Sequence, residues 1–210
     1  MRLTHVNLNR NKIFTCAEFN GGKALKVLEL RNNRLESLAG LSNMPCLEEL
    51  YVAKNKITSL VGLENLPSLK VLHIRENLIS VLPDEADLPK LPALKYINLR
   101  DNKIDKDGPE IDKCSQIAKF AGFEGLRKLN MQGNPYSDAA DDGFKREVLI
   151  ALDNLNWEFV NKDEVTEEDR TEAKQEKADR IKAAEEKAEE DRLAAAEAAA
   201  NKNEEGENDD

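Results

Sequence analysis

An asparagine stands at the end of the pattern Leu-x-x-Leu-x-Leu at six places, Asn11, Asn33, Asn55, Asn77, Asn102 and Asn134, and the first three intervals are 22 residues each. The units read Leu3-Val6-Leu8-Asn11, Leu25-Leu28-Leu30-Asn33, Leu47-Leu50-Val52-Asn55, Leu69-Leu72-Ile74-Asn77, Leu94-Ile97-Leu99-Asn102 and Leu126-Leu129-Met131-Asn134. A unit this short cannot bury its own apolar face, so the units must stack and share one core. Each contributes one short strand, and the strands lie in parallel. The asparagine amide is placed to serve backbone groups of the adjoining turns that burial would otherwise leave without partners.

This is the leucine-rich-repeat pattern, and it predicts an α/β leucine-rich-repeat solenoid with parallel strands on the concave face. Four segments follow from composition: repeats over 1–134, a C-terminal cap over 135–165, a charged helix over 166–200 and an acidic, disordered end over 201–210. The net charge of −10 sits almost wholly at the end, since residues 1–160 hold 22 acidic and 22 basic side chains and residues 161–210 hold 19 acidic and 9 basic. A neutral repeat body in an acidic chain argues against a nucleic-acid partner.

No run of 18 apolar residues occurs and the first ten residues are polar, so neither a membrane span nor a secretory signal is expected. Cys16, Cys46 and Cys114 are odd in number and widely spaced, which suits a reducing compartment and buried, inert thiols. His5 and His73 are the only histidines. No nucleophile-base pair, phosphate-cradling loop or metal-ligand cluster can be built from these residues, so neither catalysis nor a cofactor is expected. Asp105-Lys106-Asp107-Gly108 has the look of a calcium loop, but its register puts Lys103 at the first ligand position and Cys114 at the twelfth, where carboxylates are needed.

The interval lengthens to 25 residues before Asn102 and to 32 before Asn134. The first insertion carries Pro83, Pro89 and Pro92 around Asp84, Glu85 and Asp87. The second spaces Ile111, Ile117, Phe120 and Phe123 as a short helix would, lying on the convex side or offered to a neighbour. After Asn134, the periodic Phe144, Val148, Leu149, Leu152 and Leu155, followed by Trp157 and Phe159, read as a helix and an aromatic cover hiding the last strand. Thr166 before Glu167, Glu168 and Asp169 is an N-cap signal, and no glycine or proline follows until Gly206. Residues 166–200 are therefore a helix about 50 Å long, too poor in large apolar residues for a long coiled coil. At the other end no polar unit precedes the first strand; either a partner covers it or further repeats lie upstream, and a partner is the expectation.

Strand side chains alternate, so the residues between the inward leucines line the concave surface. One column runs His5, Val27, Glu49, Val71, Tyr96, Lys128; the next Asn7, Glu29, Tyr51, His73, Asn98, Asn130; the third Asn9, Arg31, Ala53, Arg75, Arg100, Gln132. Arg31, Tyr51, His73, Arg75, Tyr96 and Arg100 gather at the middle and form the candidate partner-binding patch, because aromatic and guanidinium side chains dominate protein interfaces. An acidic helix or peptide would suit it.

The isoleucine after the asparagine, as in Asn11-Lys12-Ile13 and Asn55-Lys56-Ile57, resembles the intracellular leucine-rich-repeat subclass that includes phosphatase regulators and axonemal proteins. The run Gly133-Asn134-Pro135, then Phe144-Lys145-Arg146-Glu147-Val148-Leu149, Leu155 and Asn161-Lys162-Asp163-Glu164 leading into a glutamate-rich helix, is similar to its radial-spoke members. That resemblance implies a structural component of a ciliary or flagellar axoneme that supports motility, located in cytoplasm and cytoskeleton, with other radial-spoke or axonemal proteins as partners. Two alternatives use the same fold: a regulatory leucine-rich subunit of a protein phosphatase, and an axonemal dynein light chain of the leucine-rich type.

Overall fold

The computed structural model describes residues 3–17, 19, 22–84, 87–104, 115–140 and 143–206. Each Leu-x-x-Leu-x-Leu run holds a three-residue strand: β1 (His5–Asn7), β2 (Val27–Glu29), β3 (Glu49–Tyr51), β4 (Val71–His73), β5 (Tyr96–Asn98) and β6 (Lys128–Asn130). They pair in chain order and in parallel, with Val6, Leu28, Leu50, Leu72, Ile97 and Leu129 side by side. Extended backbone turns alternate side chains to opposite faces, so these six point inward and their strand neighbours point out. Leu28, Leu50, Leu72, Ile97 and Leu129 are at most 1% exposed. Burying a leucine this completely contributes roughly 1.5–3 kcal/mol, and one continuous row of them holds the stack together.

The asparagines form a second row inside the turns. Asn55 donates to Leu30 O at 3.0 Å and to Val52 O at 2.9 Å, while its Oδ1 accepts the Leu35 N–H at 3.0 Å. Asn33, Asn77, Asn102 and Asn134 repeat this arrangement, each bridging its own turn and the one before it. Just ahead of each asparagine the chain turns sharply through a left-handed residue: Arg10, Asn32, Lys54, Glu76 and Asp101 have φ between 54° and 58°, and Gly133 has φ 71°.

The second insertion folds inward. Its described part is a single helical turn, α1 (Ser115–Ala118), continued by a 3-10 turn over Lys119–Gly122. Ile117, Phe120 and Phe123 are at most 1% exposed and join the core, so this face is not offered to a neighbour. Contacts across the chain hold it there: Gln116 Oε1 accepts the Leu82 N–H at 3.0 Å and Lys119 Nζ donates to Leu82 O at 2.8 Å, tying the turn to the first insertion. The Asp105–Gly108 loop, Ile111, Glu85 and Cys114 lie outside the described residues. Of the other two cysteines, Cys16 is buried, which pushes its thiol pKa up, but Cys46 is exposed. Burial of all three thiols fails at Cys46 because it sits beside Pro45 in the loop leading to β3, where Met44 and Leu47 turn inward instead.

The cap consists of α2 (Pro135–Ala140), α3 (Phe144–Ala151) and two short strands, β7 (Phe159–Val160) and β8 (Asp163–Glu164). Trp157 is fully buried and donates its indole N–H to Leu152 O at 3.2 Å. The cover of the last strand is more than helix and ring. β7 adds to β6 in parallel, Val160 beside Leu129, and β8 turns back antiparallel on β7. Asn161, the residue after β7, adds a tie back to the last full repeat, its Oδ1 accepting the Met131 N–H at 2.7 Å. The solenoid thus ends in a reduced extra turn whose edge is a two-residue strand, too short to recruit another chain.

The last helix, α4, runs over Glu167–Gly206. It begins on a capping box: Thr166 Oγ1 accepts the Asp169 N–H at 3.2 Å and Asp169 Oδ2 accepts the Thr166 N–H at 2.8 Å. It continues six residues beyond Ala200, where a disordered end was expected, because no helix breaker intervenes before Gly206; residues 207–210 lie outside the described part.

Candidate protein-binding face

The parallel register that buries the leucines also aligns what lies beside them. His5, Val27, Glu49, Val71, Tyr96 and Lys128 form one level across the sheet, and Asn7, Glu29, Tyr51, His73, Asn98 and Asn130 the next. With adjacent strands about 4.8 Å apart, rings at one level must stack. The Tyr51 and His73 rings do so at 4.9 Å with planes 16° apart, and Tyr96 meets the far edge of His73 at 5.1 Å and 88°. The Arg31 guanidinium carbon lies 4.1 Å above the Tyr51 ring centroid, closing the row at its β2 end. Arg31, Tyr51, His73 and Tyr96 are therefore one continuous stack across β2 to β5.

Carboxylates and amides that the sequence did not single out hold this stack in place. Tyr51 donates its hydroxyl to Glu49 Oε2 at 2.5 Å, and Asn98 donates to the Tyr96 hydroxyl oxygen at 3.0 Å. Glu29 accepts from Asn9 at 2.8 Å and contacts His5 at 2.7 Å; the Asn9 bond first, then His5, holds its carboxyl below the usual range. Burial, then the Glu49 hydrogen bond, pushes the Tyr51 hydroxyl up to about 12. Burial also raises Tyr96. His73 moves the other way, to about 4, through burial first and the nearby Arg31 and Arg75 charges second, so it is neutral at pH 7. In the sequence it stands out as a histidine in the same repeat as Arg75 and in the same column as Tyr51.

Arg75 and Arg100 occupy the third column. Arg75 Nη1 donates to Glu76 Oε1 at 2.6 Å, and Arg100 Nε pairs with Asp101 Oδ2 at 3.0 Å. Their side chains, with that of Arg31, keep 39–42% exposure, so all three guanidinium groups remain within reach of a partner. The face thus offers a rigid aromatic strip flanked by partly neutralised arginines, suited to carboxylates and to flat apolar groups. Among the described residues no group of three or more His, Cys, Asp and Glu is placed to hold a metal ion, and no helix is long and apolar enough to cross a membrane.

A second concavity was not anticipated. The loops leading into β3, β4 and β5 form a groove of about 870 Å3 walled by Pro45, Val61, Leu66, Pro67, Leu88 and Pro92. Lys23, Lys90, Glu64 and Asp87 on its rim carry both signs and favour no particular partner.

A sequence profile described as Leucine Rich repeats (2 copies) matches residues 23–67, two of the six units. Among solved structures, the Drosophila melanogaster SNF/U2A' complex aligns with a TM-score of 0.51 at 16% identity, over 87% of this chain and 92% of that one. An internalin of Listeria monocytogenes aligns with a TM-score of 0.52 at 25% identity, over 79% of this chain and 43% of that one. A leucine-rich-repeat protein of Leptospira interrogans gives 0.51 at 22%, over 75% and 37%. The chain spans less than half the length of the internalin and Leptospira chains. No curated protein matches significantly. The matching profile, the shared shape and the asparagine row together establish the fold as a leucine-rich-repeat solenoid.

Proposed function

We propose that this leucine-rich-repeat solenoid is a non-enzymatic protein-protein interaction scaffold and, more narrowly, a structural component of a radial spoke in a ciliary or flagellar axoneme. The binding role is carried by the stack of Arg31, Tyr51, His73 and Tyr96 on the outward strand face. Aromatic rings held in place before binding lose little entropy on contact, and such anchors with arginine account for most of the energy of measured interfaces. The narrower reading rests on the likeness of residues 133–164 to radial-spoke members such as leucine-rich repeat-containing protein 23. In that setting the strand face grips another spoke protein. α4 extends along the assembly as a strut.

The test joins fractionation with charge reversal. The protein should stay with spoke markers when isolated cilia are stripped with detergent and then high salt. The double variant Arg75→Glu, Arg100→Glu should lose its co-purifying partner while keeping its circular dichroism. Unchanged co-purification rules out this face. Release with dynein markers would favour the dynein light chain, and a soluble complex with a phosphatase catalytic chain would favour the phosphatase regulator.

A further inference from the structure

His73 occupies an unusual place in the strand face. Tyr51 stacks on its ring at 4.9 Å and Tyr96 meets it edge-on at 5.1 Å, yet among the described residues neither ring nitrogen has a hydrogen-bond partner. Every other polar side chain of the central stack has a partner: Tyr51 has Glu49, Tyr96 has Asn98, Arg75 has Glu76. The charges acting on the imidazole are also unbalanced. Arg31 from the β2 repeat and Arg75 from its own repeat bear on it from the positive side, and Glu49 on β3 alone opposes them; β5 contributes Tyr96 and Asn98, which are uncharged. The spot is therefore locally positive. Of the nearby carboxylates, Glu29 is already engaged by Asn9 and His5, and Glu76 by Arg75 and Lys54.

We propose that the partner inserts an aspartate or glutamate side chain between Arg31 and Arg75 against the half-buried ring of His73, and that His73 takes up one proton from solvent as that carboxylate seats. This deepens the scaffold reading and rests on the same face. One guanidinium hydrogen bond of Arg75 goes to Glu76, and the group has five N–H donors, so bonds to an incoming carboxylate are available without breaking the resident pair. Without a ligand the partial burial of the ring, and after it the two arginines, oppose an imidazolium, and the proton stays off. An incoming carboxylate reverses the sign of the local charge, and the N–H it induces on His73 becomes a charged hydrogen-bond donor to it. Linkage then requires that binding strengthen as pH falls from 7.5 toward 5.5, a range in which an ordinary glutamate stays mostly ionised. If bound His73 returns to the ordinary histidine value near 6.5 from its free value of about 4, the gain over that range is about tenfold.

The chain contains only two histidines, so both imidazoles can be followed separately by proton NMR of the full chain. The probe is a synthetic helical peptide of alanine and glutamate, with a copy carrying glutamine in place of glutamate as control. The expected result is that the glutamate peptide raises the His73 midpoint by about two and a half pH units, leaves His5 unmoved and binds about tenfold more tightly at pH 5.5 than at 7.5. Arg75→Gln should abolish the His73 shift, and Arg75→Lys should restore part of it. The proposal is overturned if the peptide does not bind, if it binds without moving the His73 midpoint, or if the glutamine copy binds equally well. A chain that ignores the peptide but stays with the axonemal spokes would remove this inference and leave the scaffold reading intact. A chain whose charge reversal leaves co-purification unchanged would remove the strand face as the spoke contact whatever the peptide does.

Discussion

Asn77 donates its amide to Val52 O at 3.1 Å and Ile74 O at 2.9 Å, and accepts the Ile57 N–H at 3.0 Å. Alanine there leaves buried backbone groups of two repeats unpaired, each costing roughly 1–3 kcal/mol. Asn77→Ala should therefore destabilise the chain by about 2–4 kcal/mol in urea unfolding. Asn11 looks the same in sequence but is exposed, and it donates only within its own turn, to Leu8 O at 2.8 Å and Asn9 O at 3.2 Å. Its replacement should cost less than about 1 kcal/mol. Equal losses at the two positions would mean that the cross-repeat bonds are not what the asparagine supplies.

At the scale of the element, the question is how α4 is held. Its first half lies on the cap: Arg180 forks onto both carboxylate oxygens of Glu147 at 3.0 and 2.7 Å, and Lys145–Asp169, Arg146–Glu176 and Lys177–Asp153 line the same contact at 2.7, 3.3 and 2.7 Å. Arg170 also donates to Trp157 O at 2.5 Å, and Ala173 is 2% exposed. Single surface ion pairs contribute about 0–1 kcal/mol, so the contact depends on the set and is sensitive to salt. Beyond Arg180 the described side chains, Ile181 and Leu193 among them, face solvent. Glu147→Lys should speed amide hydrogen exchange over residues 170–182 while β2 to β5 stay protected, and added salt should do the same more weakly. Unchanged exchange in the variant would show that Ala173 and the Trp157 contact suffice.

For the molecule as a whole, neighbour-to-neighbour stacking and a half-docked helix imply two stabilities in one chain. The only tryptophan, Trp157, is fully buried in the cap and reports on the solenoid's end. α4 spans 40 residues, about 60 Å at 1.5 Å per residue, and supplies much of the helical signal. Ellipticity at 222 nm should begin to fall at lower urea than the Trp157 emission shifts, since the described side chains beyond Arg180 are exposed and pair only within the helix. Coincident transitions would mean that the whole helix is coupled to the body.

Much of this was legible in the residues. The 22-residue spacing and the Leu-x-x-Leu-x-Leu pattern determine parallel strands, the inward row and the columns on the outer face, because a fixed repeat and a two-residue side-chain period leave only one consistent stacking. The apolar run from Phe144 to Leu155 likewise determines a cap. Other features depend on groups far apart in the chain meeting in space. Arg10, Lys54 and Glu76 take left-handed backbone with no glycine or turn signal to announce it, since the neighbouring repeats and the asparagine row impose the turn. The second insertion turns its aromatic face inward because Gln116 and Lys119 find Leu82. Asn161 and β7 extend the solenoid although the sequence there lacks the leucine pattern. The columns placed Arg31, Tyr51, His73 and Tyr96 near one another, but only packing decided that they form a stack, which ring nitrogens stay free and which carboxylates hold the arginines. Ring angles and ion pairs are set by side-chain torsions across repeats, and spacing along the chain carries no information about those.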